Sequence, residues 1–199
     1  PVGQKIDKNG VVSTYSLVYT TEKAYYSGVL APNGDIHFVP HFAQVGQKID
    51  KNGVVSTYSL IRTGQYAYRG GVLSFNGDIH FVPCSVPVGQ KVDKNGVVST
   101  YSLVYPGNGA YSGGVLAPNG DIHFVPSSAT VGEKIDKNGV VSTYLLVTTA
   151  IDAYCGGVLA PNGDIYFVPH GRRVGQKIKT LPATPFPEAV CLSPFFNKL

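Results

Sequence analysis

Residues 113–126 read GGVLAPNGDIHFVP. Near-copies stand at residues 27–40 (SGVLAPNGDIHFVP), 70–83 (GGVLSFNGDIHFVP) and 156–169 (GGVLAPNGDIYFVP), each 43 residues after the last. Val2, Val45, Val88, Val131 and Val174 each open a VGQK or VGEK phrase at the same step, and Tyr25, Tyr68, Tyr111 and Tyr154 keep it. A fixed period of roughly 20–50 residues marks solenoids, propellers or arrays, in which one small unit is stacked on its neighbours.

The unit reads as β. Residues 27–31 form a short apolar run that stops at Pro32-Asn33-Gly34, and residues 35–39 alternate and stop at Pro40. Pro presets φ, while Asn and Gly tolerate turn conformations, so the pair is a hairpin. Residues 45–49 supply a third strand and Asp50-Lys51-Asn52-Gly53 a second turn. Residues 54–61, rich in β-branched residues and Tyr, supply a fourth. No segment carries a 3.6-residue apolar period. Four antiparallel strands per repeat predict the blade of a β-propeller, with a β-solenoid as the alternative. The expected fold is all-β and propeller-like, with four blades of four strands.

The phrase GGVLAPNG-x-I-x-x-VP also resembles tandem repeats, often written GGVLAPNGKIYGIP, in bacterial, algal and viral proteins. The resemblance covers residues 1–178. It implies a β-propeller-like fold and carries no activity with it. Asp-Ile-His-Phe here replaces the Lys-Ile-Tyr-Gly common there, so no shared ligand is implied either.

The domain is expected at residues 1–178, with a non-repeat Pro- and Phe-rich tail at 179–199. With Gly-Val-Leu innermost, the chain starts on the third strand of a blade and ends after the second. The two halves are expected to combine into one closing blade, which removes the open sheet edges. One phrase is then surplus, because VGQKI occurs five times and the other strands four. Residues 2–7 and 174–179 compete for one place. The spare strand, from Val2 through Lys5 and Ile6, is an assembly candidate, as are the tail residues Phe186, Phe195 and Phe196.

Charge is sparse, at 14%. Residues 1–169 hold 11 basic and 11 acidic side chains, so the net +4 lies at the end of the chain. No basic face runs along the repeats to follow a nucleic-acid backbone, and Arg172-Arg173 reads as a solvated loop. No transmembrane run is present. Met is absent, so Pro1 is expected to follow processing or to open an excerpt of something longer. The composition leans towards an extracellular, cell-surface or virion-surface protein. Cys84, Cys155 and Cys191 are odd in number and off the period, and are expected as isolated thiols.

Candidate sites are few. His37, His80 and His123 share one repeat position, with Tyr166 in the fourth copy; structural packing is expected of them. His41, Cys84, Ser127 and His170 follow each Val-Pro and include zinc-ligand types on separate blades. Asp7-Lys8-Asn9-Gly10 and its copies begin like a calcium loop but lack the closing acidic ligand, so they read as turns. Glu22, Arg62, Arg69, Glu133 and Asp152 form no evident catalytic set. No cofactor and no metal is expected. The expectation is a non-enzymatic structural or assembly protein that self-associates. The alternative is a multivalent glycan binder, with Tyr25, Tyr68, Tyr111 and Tyr154 stacking on sugars.

Overall fold

A computed structural model describes residues 2–180. Within them the chain is all-β. A two-stranded ribbon, β1 (Val2–Ile6) and β2 (Val12–Ser16), comes first. Three complete blades follow. Blade one holds β3 (Tyr25–Leu30), β4 (Ile36–Pro40), β5 (Val45–Ile49) and β6 (Val55–Ser59). Blade two holds β7 (Tyr68–Leu73), β8 (Ile79–Pro83), β9 (Val88–Val92) and β10 (Val98–Ser102). Blade three holds β11 (Tyr111–Leu116), β12 (Ile122–Pro126), β13 (Gly132–Ile135) and β14 (Val141–Tyr144). A last, three-stranded sheet holds β15 (Tyr154–Leu159), β16 (Ile165–Pro169) and β17 (Gln176–Ile178). Among the described residues no helix is long and apolar enough to cross a membrane.

The turns form for the reasons their residues suggest. Asn33 Oδ1 accepts from the Asp35 amide at 3.0 Å, and Gly34 takes φ +89°. Asp50 Oδ1 accepts from the amides of Asn52 and Val54, each at 2.8 Å, with Gly53 at φ +85°. The first strand starts two residues earlier than the pattern predicts. Tyr26 is a bulge: Tyr25 pairs with Pro40 and Ser27 with Val39, which leaves Tyr26 unmatched. One feature invisible in the pattern is an ion pair across neighbouring strands. Lys48 meets Asp35 at 2.6 Å, and the three later copies repeat it.

The core lies between blades. Val29 and Val39 of blade one pack with Tyr68, Phe81 and Val92 of blade two. The inner strands β3, β7, β11 and β15 pack on one another in order. Their closeness requires glycine: a Cβ on Gly71 would sit 2.4 Å from Val29 Cγ2, and one on Gly114 2.8 Å from Val72 Cγ2. Blades are also fastened by hydrogen bonds. Gln47 Oε1 accepts from the amides of Val18 and Tyr19, each at 3.0 Å. Gln90, Glu133 and Gln176 grip the linkers before their own blades in the same way.

The expected closing blade is not formed among the described residues. β1 pairs with β2 and β17 with β16, in separate sheets. Each outer VGQKI copy finds its partner across a short local loop, which costs less chain entropy than joining the two ends. The surplus copy is therefore accommodated without competition. Val2 (59% exposed) and Ile6 (71%) lie on the β1–β2 ribbon. The tail beyond residue 180, with Phe186, Cys191, Phe195 and Phe196, lies outside the described residues.

Candidate functional site

In a repeated unit, whatever every copy shares is first of all architecture. Departures from the pattern are where individual chemistry resides. Most of them fall in three places. One is the loop entering the inner strand, at 20–23, 63–66, 106–109 and 149–152. The second is the bulged residue: Tyr26, Arg69, Ser112 or Cys155. The third is the loop after Val-Pro, at 41–44, 84–87, 127–130 and 170–173. The inner strand starts where the second strand ends, so all three places share one rim. The opposite rim carries the nearly uniform Pro-Asn-Gly and Asp-Lys-Asn-Gly turns.

The rim is richest where blades one and two meet. His41, only 5% exposed, is ringed by Tyr26, Phe42 and Tyr66, with ring centroids 5.1, 5.2 and 5.2 Å away. The guanidinium of Arg69 lies 6.0 Å from the Tyr26 ring centre. His41 Nδ1 stands 2.9 Å from the Tyr68 carbonyl, which can only accept, so Nδ1 carries the proton. Nε2 then keeps its lone pair, and no hydrogen bond among the described residues occupies it. Burial lowers the pKa of this imidazole; the Tyr68 carbonyl works against that, and the charges of Arg69 and Lys23 add to it. At neutral pH His41 is a neutral base with a fixed tautomer.

Backbone strain marks the same rim. Lys23, Tyr66 and Asp152 hold φ of +54°, +55° and +53°, where the third copy places Gly109 at +64°. A left-handed non-glycine residue costs about 1–2 kcal/mol. At Tyr66 that conformation accompanies a ring packed against both His41 and Phe42, the latter at 4.7 Å. The other junctions are plainer. Ser127 Oγ donates to Asp152 Oδ1 at 3.3 Å, Ser112 Oγ donates to the Tyr154 carbonyl at 2.9 Å, and Cys155 is exposed.

The structure sorts the residues singled out by sequence. His37, His80 and His123 are buried beside Tyr58, Tyr101 and Tyr144 on three separate blades. Burial holds each of them at a pKa of about 4. Among the described residues no three His, Cys, Asp or Glu side chains are placed to hold a metal ion. Instead, the carbonyls of His41, Cys84 and Ser127 accept from Ala67, Ala110 and Ala153 of the next blade, at 2.8–2.9 Å. Asp7, Asp50, Asp93 and Asp136 all build turns. Tyr68, Tyr111 and Tyr154 are core, at 0–1% exposure, and Tyr25 packs on Phe38, so stacking on sugars is not open to the set. Cys84 is buried and forms no disulfide among the described residues, and its sulfur accepts from Ser85 Oγ at 3.7 Å. Glu22 and Arg62 are exposed, and Glu133 is buried in a blade-to-blade grip. Arg69 and Asp152, which suggest no constellation in the sequence, are two of the rim residues. Their signal was available: both sit where the four copies disagree.

No family model matches the chain, and no curated protein matches it. Solved structures do. Virginiamycin B lyase from Staphylococcus aureus aligns with TM-score 0.77 and 21% identity, over 90% of this chain and 60% of that one. A streptogramin B lyase aligns with TM-score 0.76 and 23% identity, over 89% and 58%. A protein assigned as a 6-phosphogluconolactonase from Bacteroides uniformis aligns with TM-score 0.63 and 15% identity, over 92% and 61%. The chain thus spans about three fifths of the length of each of these proteins. The likeness establishes the fold as β-propeller-like. It also corrects the expectation of a non-enzymatic structural or assembly protein and its glycan-binding alternative: these propellers, with which the chain aligns, are named as lyases and a lactonase.

Proposed function

We propose that the chain carries the reaction-bearing rim of a propeller enzyme of the lyase or lactonase kind, acting on an ester-type C–O bond in a ring. The observation that carries this reading is His41: buried, neutral and tautomerically fixed, on the rim where the repeat departs from itself. Both reaction kinds begin with a proton taken by a base. In a lactonase, His41 Nε2 takes it from water as the oxygen adds to the ester carbon. The ring C–O bond then breaks, and the proton passes to the departing alkoxide. In a lyase, the proton comes from carbon, a C=C bond forms, and the ester oxygen leaves with the bonding pair. Arg69, beside the same cluster, supplies positive charge for the oxygen that becomes negative. Tyr26, Phe42 and Tyr66 form an apolar surround that favours a base of lowered pKa.

The named neighbours support the reading. A catalytically inactive histidine-to-alanine form of the Staphylococcus aureus lyase has been crystallised with quinupristin. The test is turnover of a sugar δ-lactone and of quinupristin by the purified chain, followed by mass spectrometry. Hydrolysis adds the mass of one water and elimination adds none. The expected result is ring opening that His41→Ala lowers by about 10²–10⁴-fold, the size of a general-base contribution. Turnover unchanged in His41→Ala, or none of either substrate by the wild-type chain, overturns the reading.

A further inference from the structure

We propose that Lys23 and Arg69 form a carboxylate subsite beside His41, which holds the product of the rim's own reaction and so restrains it. The identity of the ligand rests on the reaction proposed above; the subsite itself does not. Both reaction kinds end in a carboxylate. In hydrolysis the ester carbon becomes the carboxyl group of the opened ring. In elimination the oxygen that leaves with the bonding pair belongs to one. An ester without charge thus becomes an anion at the place where it reacts, and at neutral pH the proton goes to solvent.

The two cations reach the histidine from different blades. Lys23 lies on the blade-one loop that holds it: the Lys23 carbonyl accepts from the Phe42 amide at 3.3 Å, and the Ala24 carbonyl from the His41 amide at 2.8 Å. Arg69 follows Tyr68 in blade two, whose carbonyl takes His41 Nδ1. Its guanidinium stands by Tyr26, a ring that packs on His41. Neither cation is neutralised. The ion pairs among the described residues join Lys48, Lys91, Lys134 and Lys177 to aspartates and include neither Lys23 nor Arg69. Arg69 Nε is sealed from solvent and has no acceptor among the described residues. An N–H of a charged group withdrawn from water is costly without an acceptor, and the planar guanidinium matches the two oxygens of a carboxylate. Both charges act on the His41 ring and no carboxylate does; Glu22, next to Lys23, is exposed. The other groups facing the ring are Tyr26, Phe42 and Tyr66. An anion held by Lys23 and Arg69 favours the protonated imidazole. Bound product therefore turns the base into its acid form, which cannot take the next proton. The restraint deepens as pH falls, because anion and proton each favour the binding of the other.

The probe is gluconate, the ring-opened form of a sugar δ-lactone. Sorbitol, a neutral polyol of the same carbon number, is the control, and sodium chloride keeps the ionic strength constant. Gluconate is titrated into the full chain while the His41 imidazole signals, assigned by their loss in His41→Ala, are followed by nuclear magnetic resonance. The expected result is a saturable shift with gluconate and none with sorbitol. At saturation the titration midpoint of His41 moves upward. Lys23→Asn removes one charge at an exposed position, where asparagine suits the φ of +54°. Arg69→Gln removes the other. Each is expected to weaken gluconate binding about tenfold or more, as loss of one hydrogen bond to a charged group does. Circular dichroism checks that both variants fold. The proposal is overturned by an absent shift, by an equal one with sorbitol, by a midpoint that does not rise, or by either variant binding gluconate as tightly as the wild type. Gluconate binding by a chain that turns over neither test substrate sinks the proposed reaction and leaves the subsite standing. Turnover that gluconate does not slow sinks the restraint and leaves the reaction standing.

Discussion

Tyr111 Oη donates to Glu133 Oε2 at 2.8 Å, whereas in the preceding blade the matching Tyr68 Oη and Gln90 Nε2 are buried without partners. The change from Gln to Glu completes a set of donors: the amides of Val104 and Tyr105 bond the same carboxylate. The two tyrosines should therefore respond oppositely to loss of the hydroxyl. Tyr111→Phe strips a donor from a buried carboxylate and is expected to cost about 1–3 kcal/mol. Tyr68→Phe removes an orphan hydroxyl and is expected to be neutral or stabilising. Urea unfolding of the two variants checks the difference in sign.

The glycines of the inner strands should rank by what a methyl group would meet. Gly71→Ala drives a Cβ to 2.4 Å from Val29 Cγ2 and is expected to cost about 1–3 kcal/mol or more through overpacking. Gly114→Ala and Gly157→Ala, with approaches of 2.8 and 2.7 Å, follow. Gly28→Ala, at 3.4 Å, is expected to change stability by less than about 0.5 kcal/mol. Thermal unfolding of the four single variants reads out the order.

The fold should be lost on mild acidification. His37, His80 and His123 titrate near 4 when folded because burial disfavours their charged form. Unfolded, an imidazole titrates near about 6.5, so the unfolded chain takes up protons first. The loss due to these histidines is then absent above about pH 7, grows between about 6.5 and 4, and is complete below. Each histidine contributes about 3 kcal/mol to that loss. Between those limits the slope approaches about three protons, and in His80→Gln it should drop by one. Unfolding free energies measured across that pH range test both statements.

Activity should persist below the pH at which a free imidazole protonates, because His41 is held low, first by burial. Arg69 adds to the depression. Arg69→Gln should therefore move the acid limb of the pH–rate profile upward, besides lowering the rate. A profile with an unmoved acid limb would assign the limb to another group.

The fold was legible because turns and strands are local. Asn33 and Asp50 close their turns with their own side chains, so a few adjacent residues dictate each hairpin. Ring closure was not legible. Five VGQKI copies are alike in composition, and only chain proximity decides that β1 pairs with β2. The site was half visible. His41 stands at a position that varies among the copies, with Cys84, Ser127 and His170 as its counterparts, but its partners are Tyr66 and Arg69 from the following blade, 25 and 28 residues along the chain. Blade-to-blade neighbours of that kind are fixed by stacking, which no single repeat encodes. Glu133 was unreadable for the same reason: its donors come from the linker before its blade and from an inner strand.

The division between a varied rim and a uniform one makes each blade a cassette. The strands, the turns and the valine-on-glycine contacts are nearly interchangeable, so they hold no record of which blade stands where. His41 belongs to blade one, while Tyr66 and Arg69 belong to blade two. Exchanging two cassettes would leave every junction packed and dissolve the cluster. The address of the site is written in the order of the blades.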